Sequence, residues 1–580
     1  MICKLYLKHF LPYFGNMKLN LGLFLACLFT VSSMFNLHSQ SVNIPLNDDY
    51  YHLIDRYEIK SGRINSNYHS SWRAYQRKDV VNFIDSISSE FKLSSQDEFN
   101  FNYIRNDSWE WTDQADNDSK KPVWKHFYKK KSDLYSVRTE DFDLHVNPVL
   151  HLSVGRESAF DVNTFINTRG VELRGVIDKK VSFYSFIGEN QMVNPAYIRA
   201  YRSSNLTVPQ EGFWKGYEEN GVDFFTARGY LSFDATKHIN MQFGQDRFAV
   251  GNGYRSMILS GFSPAYLFFK INTKVWKFNY TNLFTEMTAD VQGNPGGLTG
   301  SSRYPDKYMA LHHLSFNIGE KLNIGVFESI IFSNSDSTSN NSFELKYLNP
   351  VIFYRAIEQQ NGSPDNALVG VDFKWLPAKR LVIYGQWVFD EFLLDNLTEG
   401  NGWWGNKWGA QLGGEYIDAF GISNLDLQGE INVARPYAYS HNTQYGSYSN
   451  YRQPLAHPLG ANFREVVGIV RYQPVDKLSI TGKLILATYG EDEIGRNFGK
   501  NILLQNTTRE ADFGNEIGQG IDTDLTFADL TVSYHWKHNF FIDLKHIYRQ
   551  LDSAQQGLSN DTNFTSVVLR WNVPQRLNEF

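Results

Sequence analysis

The sequence predicts an all-β fold: a transmembrane outer-membrane β-barrel of about 18 antiparallel strands, with a small N-terminal α-helical module. Apolar and polar residues alternate along most of the chain beyond residue 139, as expected of strands with lipid on one face and a polar lumen on the other. The connections between these strands are alternately short and long. Mean hydropathy is −0.40, and past the N-terminus no apolar stretch approaches the roughly 20 residues of a membrane-spanning helix. A helical membrane protein is therefore excluded.

Composition narrows the functional classes. The chain has 580 residues and a formal net charge of −6, from 56 Lys and Arg against 62 Asp and Glu. Because positive and negative charges are nearly balanced, the composition gives no reason to expect a nucleic-acid partner. Aromatic residues reach 15%, which is high for a soluble enzyme. The cysteines are limited to Cys3 and Cys27, so a disulfide scaffold, an iron–sulfur protein and a cysteine-based zinc site are excluded.

Residues 1–40 are predicted to be a secretory signal peptide. A short positive region begins at Met17, which is an alternative start of the chain, and an uncharged apolar run follows over 19–35. Small and polar residues near Ser39 would permit cleavage. A lipoprotein signal at Cys27 is the alternative interpretation. Cleavage would remove both cysteines, which suits a chain that is exported through an oxidising periplasm.

Residues 41–138 are predicted to form a helical periplasmic module and a linker. Apolar residues recur at helical spacing in three stretches, Leu53 to Ile59, Val80 to Ile87 and Phe99 to Ile104. Ser94 or Ser95 is placed to cap the third helix ahead of Asp97. The stretch 113–131, rich in Asp, Asn and Lys, is the linker. We expect the module to lie at the periplasmic mouth of the barrel, where it would plug the lumen.

Residues 139–580 are predicted to form the barrel. Short turns that carry Lys, Pro or Asp lie at 178–180, 234–238, 272–274, 319–321, 377–380, 418–423, 474–477 and 536–539. Long loops rich in Gly, Asn, Ser and aromatic residues alternate with them, at 189–222, 246–261, 287–305, 333–365, 392–406, 435–462, 489–522 and 551–561. The eight turns join sixteen strands, and a first strand near 142–154 and a last near 562–573 bring the count to eighteen.

The sorting of connections into short and long is what favours this fold. An outer-membrane barrel has short periplasmic turns at one rim and long extracellular loops at the other. An even number of strands returns both ends of the chain to the periplasm. Phe580 fits the terminal aromatic residue that barrel-assembly machinery commonly recognises. Because Pro574 interrupts the final strand, Trp571 and Val573 are the alternative end of the membrane part.

Several blocks of sequence carry a resemblance to a known family. They are IPLNDDYYHLIDRYEIKSGR from residue 44, GQDRFAVGNGYRSMILSGFSPAYLFFKINTKVWKFNY from 244, YMALHHLSFNIGEKLNIGVFESIIF from 308, YLNPVIFYRAIEQQNGSPDNALVGVDFKW from 347 and YRQPLAHPLGANFRE from 451. Over nearly all of 44–573 the chain resembles the capsule-assembly Wzi family of outer-membrane barrels, and most closely its RemB-like gliding-motility branch.

The resemblance implies an eighteen-stranded barrel with a periplasmic helical bundle, in agreement with the strand count above. It also implies a non-enzymatic surface protein without a cofactor. Wzi-type barrels act as lectins that hold capsular polysaccharide to the cell, and RemB-like proteins belong to the envelope equipment of gliding bacteria. The implied partners are outer-membrane lipid, a surface or capsular polysaccharide, and periplasmic or gliding-machinery proteins.

Asn252, Tyr254 and Arg255 are candidate carbohydrate-binding residues, in and directly after a Gly-Asn-Gly run. A polar loop tip of this composition would bind sugar hydroxyls or acidic-sugar carboxylates, because Arg makes bidentate contacts with a carboxylate. In the structural alternative the glycines shape the backbone. An inward-facing Arg255 would then pair with an acid such as Asp246 or Glu286.

Trp403, Trp404 and Trp408 form a second candidate carbohydrate site, in a predicted long outer loop. Aromatic faces at this position would stack on the apolar face of a pyranose. The alternative is that these residues belong to the aromatic belt that lies at each membrane interface.

An enzyme is the first rival class, and the sequence offers it no support. There is no G-x-S-x-G in a strand-to-helix context, no H-E-x-x-H and no Walker motif. His312 and His313 are adjacent on a predicted strand, so their side chains should face opposite sides and share no metal. His145 and His151 share a face but lie roughly 20 Å apart along a strand. No catalytic or metal-binding residues are predicted.

A diffusion channel or carbohydrate porin is the second rival, because eighteen strands are enough to enclose an aqueous pore. Several charged residues fall on the predicted inward face, namely Glu172, Arg174, Arg228, Lys374, Asp543 and Lys545. These charges would either form salt-bridged layers in a plugged barrel or line a selective pore. The sequence does not separate the two.

Overall fold

The structure is a computed structural model. It describes residues 41–46, 48–90, 92–158, 163–289, 306–333, 345–350, 365–391, 394–443, 445–555, 557 and 559–580. The predicted signal peptide lies outside the described residues.

Eighteen strands close into one antiparallel barrel, as predicted, and the last strand pairs with the first. They are β1 Phe142–Glu157, β2 Asn163–Ile177, β3 Val181–Val193, β4 Gly221–Thr236, β5 Ile239–Asp246, β6 Tyr266–Val275, β7 Phe278–Thr288, β8 Asp306–Ile318, β9 Leu322–Phe332, β10 Asn366–Ala378, β11 Leu381–Glu391, β12 Lys407–Tyr416, β13 Leu425–Ala434, β14 Phe463–Val475, β15 Leu478–Glu491, β16 Ile521–Lys537, β17 Phe540–Ser553 and β18 Asn560–Trp571. Closure satisfies the backbone groups that an open sheet would leave at its edges.

With one exception, the short connections lie at one end of the barrel, here called the short-turn rim, and the longer ones at the other, here called the long-loop rim. The exception is the brief connection between β1 and β2, which belongs to the long-loop rim. Seven of the eight predicted short turns coincide with observed ones. The turn predicted at 272–274 is wrong, because Asn272 still pairs with both neighbouring strands and Lys274 still pairs with β7. Strand β6 runs on to Val275, and the turn is formed by Trp276 and Lys277.

The outward face of the barrel is apolar and exposed, as expected of a wall that meets lipid. Its most exposed strand residues include Val154, Phe225, Leu412, Ile431, Leu530, Leu544 and Val567. Exposed aromatic residues cluster near the short-turn rim, where Trp276 is 73% exposed and Phe420, Trp375 and Trp536 accompany it. This is the position of an interfacial aromatic belt. None of the helices in the described ranges combines the length and apolarity needed to cross a bilayer.

Three helices form the predicted module, α1 Asp48–Ser61, α2 Arg77–Ile87 and α3 Ser95–Asp107. Ser94 caps α3 with a capping box: its side chain accepts from the backbone of Asp97, whose carboxylate accepts in return. The helices share a core that includes Tyr50, Ile54, Tyr57, Val80, Ile84, Phe101 and Ile104. The helical pattern of the sequence is therefore confirmed.

The module fills the mouth of the barrel at the short-turn rim. Glu58 of α1 forms a buried ion pair with Lys374 of β10, and His69 hydrogen-bonds Ser315 of β8 at 2.6 Å. Gln96 of α3 donates to the backbone carbonyl of Pro474, near the end of β14. The segment that follows the linker joins the barrel wall. Tyr135–Arg138 pairs with residues 143–146 of β1, nearer the short-turn rim than the residues of β1 that pair with β18.

Residues 572–580 turn into the lumen instead of continuing β18. The strand ends at Trp571, and Asn572 begins the turn with a left-handed backbone, φ 51°. Phe580 is buried against Tyr197 and Tyr201 of a lumenal helix, α4 Ala196–Asn205. The last strand therefore ends at Trp571, as in the alternative prediction, and Phe580 is not part of it. Recognition of Phe580 by barrel-assembly machinery stays a prediction.

The charged residues predicted to face inward do so, and five of the six have ion-pair partners among the described residues. The sixth, Glu172, accepts a hydrogen bond from the Tyr184 hydroxyl at 3.4 Å. Arg174 binds Glu110 of the module, Asp543 binds Arg570 at 2.6 Å, and Lys545 binds Asp529 at 2.8 Å. His313 also faces inward and bonds Asp372 at 2.6 Å, whereas the adjacent His312 faces outward toward Tyr280, as the alternation predicts. These inward charges therefore form ion-paired layers, which is one of the two arrangements that the sequence left open.

Candidate functional site

The loop between β5 and β6, residues 247–265, folds down into the lumen and meets the helical module there. Ala249–Val250 pairs with Trp72–Arg73 as a two-stranded ribbon. Gly251 and Gly253 let this loop approach the barrel wall closely. A Cβ atom at Gly251 would lie 2.1 Å from the Gln386 amide, and one at Gly253 would lie 2.6 Å from the Glu430 carboxylate. The glycines of the Gly-Asn-Gly run are thus required by packing.

Arg255 lies at the centre of the lumen in a network of acids. Its guanidinium donates to Glu465 of β14 at 3.1 Å and to the backbone carbonyl of Glu579 at 2.7 Å. Its backbone N–H donates to Glu430 of β13 at 3.0 Å. The network buries a cation together with several carboxylates, an arrangement that is stable only while every member keeps its partner.

The other two residues of this candidate site are also held inside the barrel. Asn252 accepts a hydrogen bond from Ser70 of the module at 3.0 Å, and the backbone of Tyr254 donates to Glu430 at 2.7 Å. The expected acid partners of Arg255 are wrong. Asp246 lies 3.8 Å from Arg228 instead, and Glu286 lies opposite outward-facing Leu267 on the wall. Carbohydrate binding by Asn252, Tyr254 and Arg255 stays a prediction.

Trp403 and Trp404 lie together at the long-loop rim, with their ring centroids 5.8 Å apart. Both are half-buried. The guanidinium of Arg509 covers the ring of Trp404 at 4.2 Å, and the Trp404 backbone donates to Asp512 at 2.9 Å. Two neighbouring loops therefore hold this aromatic pair beside a cation at the mouth of the barrel.

Trp408 does not join that pair. It is the second residue of β12, after Lys407, whose ammonium points inward and lies 3.1 Å from Asp390. Since successive strand residues face opposite sides, Trp408 faces outward with its cross-strand neighbour Phe389. Its surroundings are those of the interfacial belt, the alternative interpretation of this tryptophan.

One group of residues was not singled out by the sequence. A cavity of about 280 Å³ lies in the lumen near the long-loop rim, lined among others by Glu211, Phe213, Arg228, Arg247, Tyr451 and Arg576. Arg576 binds Glu211 at 3.2 Å and donates to Asn190 at 2.7 Å. Three guanidinium groups beside one carboxylate suit an anionic ligand. No local signal marks the cavity, because its residues come from well-separated segments.

His52, Glu415 and Asp426 are the residues whose geometry comes nearest to a metal site in the described part of the chain, with donor atoms within 4.8 Å of one another. The two nitrogens of His52 lie 3.4 Å from Glu415 and 3.1 Å from Asp426. Arg56 already donates to Asp426. A cation is therefore in place, and the cluster is best described as an ion-pair network between α1 and the barrel wall.

The stability of this network should depend on pH through His52. Burial and Arg471 lower the pKa of His52, but Asp426 and Glu415 outweigh them and hold that pKa above its ordinary value of 6.5. The stabilisation that protonated His52 contributes is fully present below about pH 6.5, and it is lost as pH rises through the raised pKa of His52. We expect the stability difference between wild type and His52→Gln to shrink as pH rises above about 6.5. Chemical unfolding at a series of pH values measures it.

Exposed His126 in the linker provides the control for this prediction. His126→Gln should leave the pH profile of unfolding unchanged, because no carboxylate partner of His126 occurs among the described residues. A difference between wild type and His52→Gln that stays constant across the pH range would contradict the proposed protonation of His52.

Comparison with known proteins supports the fold. No protein-family model matches the sequence, and no curated protein matches it. Among solved structures the chain is similar to Wzi of Escherichia coli, an outer-membrane protein involved in group 1 capsule assembly that is described as a carbohydrate-binding β-barrel. The TM-score is 0.54 at 12% sequence identity, over 92% of this chain and 100% of that one.

Two solved structures of Pseudomonas aeruginosa proteins are also similar. They are OccK8, with a TM-score of 0.40 and 9% identity over 74% of this chain and 98% of that one, and OprD, with a TM-score of 0.40 and 10% identity over 74% and 93%. These scores are too low to support a conclusion about this chain. The similarity to Wzi, at this identity, establishes the barrel fold alone.

Proposed function

We propose that this protein is a non-enzymatic outer-membrane surface adaptor of the Wzi/RemB type, which binds a carbohydrate at its long-loop rim. In this proposal the long loops are extracellular and the helical module is periplasmic. The cellular role is the attachment or assembly of a capsular or surface polysaccharide, or gliding motility. The likeness of the sequence blocks to RemB-like proteins supports the second role, and the similarity of fold to Wzi supports the first.

The filled lumen is the observation that carries the proposal. The module occupies the barrel from the short-turn rim, and the loop 247–265 and residues 572–580 occupy it further up. Inward-facing charged residues of the wall form ion pairs with these segments, as Lys374 does with Glu58 and Lys483 with Glu579. A barrel filled in this way is suited to holding a ligand at its rim rather than to conducting solutes through its centre.

Trp403 and Trp404 are the residues through which we propose that a sugar is bound. A half-buried aromatic pair beside Arg509 combines stacking surfaces with a cation, which suits a saccharide that carries acidic groups. Arg255, by contrast, is 8% exposed and bonded to Glu465 and Glu579 inside the barrel, so its contribution would be to hold the loop and not to contact the ligand.

The test is binding of the purified, detergent-solubilised protein to the surface polysaccharide of its own cell. We expect saturable binding by wild type, weakened about tenfold or more in Trp403→Ala/Trp404→Ala, because each stacked ring contributes about 1 kcal/mol. Trp408→Ala is the matched control, since its ring faces the outside of the barrel. This variant should bind like wild type.

Two outcomes would contradict the proposal. Equal binding by the double variant and wild type would show that Trp403 and Trp404 do not form the binding site. Absence of binding by wild type, together with passage of ions or sugars through reconstituted bilayers, would favour the channel or carbohydrate porin instead.

A further inference from the structure

Residues 118–130 of the linker form a β-hairpin at the short-turn rim. Two antiparallel bridges define it, Asp118 with Lys130 and Val123 with Phe127. At the tip the backbone N–H of His126 donates to Val123 at 3.1 Å. Trp124 and Lys125 between them both have left-handed backbones, φ 47° and 63°, as in the two-residue turns of tight hairpins.

This hairpin lies on the outside of the barrel. The ring of Tyr128 stacks on Trp571 at 6.0 Å with an interplanar angle of 11°, and Phe127 contacts the ring of Tyr135 at 6.3 Å. Trp571 and Tyr135 face outward, because their cross-strand partners on β1 belong to its outward-facing set of residues. The hairpin is therefore continuous with the surface of the barrel that meets lipid.

The tip of the hairpin is apolar and uncovered. Trp124 is 81% exposed and Val123 is 48% exposed, and the ring of Trp124 contacts Phe127 of the same hairpin at 6.2 Å. A tryptophan exposed to this degree beside the lipid-facing wall is the arrangement of an interfacial aromatic residue.

The hairpin is also strongly basic, in a chain whose net charge is −6. Lys130 pairs with Asp118 at 2.6 Å. Four further lysines are exposed and have no carboxylate partner among the described residues; they are Lys120, Lys121, Lys125 and Lys129. In sequence these lysines lie before, within and after the apolar tip. The tip is therefore flanked by positive charge.

We propose that this hairpin binds anionic phospholipid in the membrane leaflet at the short-turn rim. Trp124 and Val123 enter the interfacial layer, and the four unpaired lysines contact headgroup phosphates. Basic residues beside a membrane surface are attracted to anionic lipid, and aromatic side chains favour the interface. The inference rests on the proposed outer-membrane location but on no carbohydrate role. Lipid is favoured over a protein partner because the hairpin continues the lipid-facing wall and its unpaired charges are all positive.

The test uses a fluorophore attached at Val123→Cys in the protein with Cys3 and Cys27 replaced by Ser, reconstituted in vesicles. Quenching by nitroxide-labelled phosphatidylglycerol is compared with quenching by nitroxide-labelled phosphatidylcholine. We expect both lipids to quench the label, and the anionic lipid to do so at a severalfold lower membrane fraction. Replacing the four lysines by Gln should abolish that preference.

Two further label positions serve as controls. A label at Val154→Cys, on the lipid-facing wall, should be quenched by both lipids and reports insertion of the barrel. A label at Ile494→Cys, which is 96% exposed in a long loop, should show no lipid preference. If Val154 is not quenched, the proposed membrane location fails and the inference fails with it.

With Val154 quenched, three results would overturn the lipid site alone. They are no quenching at Val123, equal quenching by the two lipids, and a preference that survives the lysine substitutions. The first of these would favour a periplasmic protein as the occupant of the tip.

Discussion

Arg255→Met should lower the free energy of unfolding of the barrel by about 3–5 kcal/mol, the range for removal of one partner from a buried charge network. The substitution leaves the carboxylate of Glu465 in the lumen without the guanidinium that faces it, while the backbone N–H that donates to Glu430 is retained. It also removes the bond to the backbone of Glu579. Urea unfolding of the protein in phospholipid vesicles measures the effect.

A second substitution tests whether uncompensated charge is the cause. Arg255→Met/Glu465→Gln should recover part of the lost stability, because the carboxylate that Arg255 faced is then neutral. Arg496→Met is the matched control: Arg496 is exposed and pairs with Glu493 and Glu510 at 2.9 and 3.0 Å. Exposed pairs contribute little, so no measurable change is expected. An Arg255→Met protein as stable as wild type would contradict the network described here.

Arg56→Met should release the helical module from the mouth of the barrel. Arg56 is buried on α1 and joins it to Asp418 and Asp426 of the wall, and it also lies 3.7 Å from Asp97 of α3. Its loss removes the guanidinium shared by three carboxylates, and Lys60 remains beside only two of them. We expect a cost of about 3 kcal/mol, the low end of the range for removal of one partner from a buried charge network. We expect proteases to cleave within 41–111 much faster than in wild type, while β1–β18 keep their resistance to unfolding by detergent.

Arg63→Met is the control for this prediction. Arg63 lies in the same module and pairs with Glu90, but its side chain is 42% exposed, so its removal should leave the cleavage rate unchanged. Equal cleavage of Arg56→Met and Arg63→Met would show that the module is not held by the Arg56 network.

The barrel could be predicted because its signals are local. Each strand carries its own alternation, which is why the opposite orientations of His312 and His313 were predictable from two adjacent positions. The capping box at Ser94 is equally local. The turn between β6 and β7 was misplaced because Asn272 and Lys274 are turn-forming residue types, whereas their pairing with neighbouring strands keeps them in β6.

The candidate site was harder to predict because its contacts are distant in sequence. Arg255 meets Glu465 and Glu579 across 210 and 324 positions, and alternation indicates that an acid faces inward without indicating which cation it meets. Trp408 was grouped with Trp403 and Trp404 because the sequence does not mark where β12 begins. One residue of register decides whether a side chain faces the lumen or the lipid.

The inward course of residues 572–580 has a consequence for the order of assembly. These residues follow the strand that closes the barrel, yet they lie within it. Val573 and Pro574 line a small cavity together with Tyr50 and Asp107 of the module, so the module covers the place where this segment enters. The segment must therefore be inside before the module docks. The portion of the chain that leaves the ribosome early is thus among the last to reach its native position.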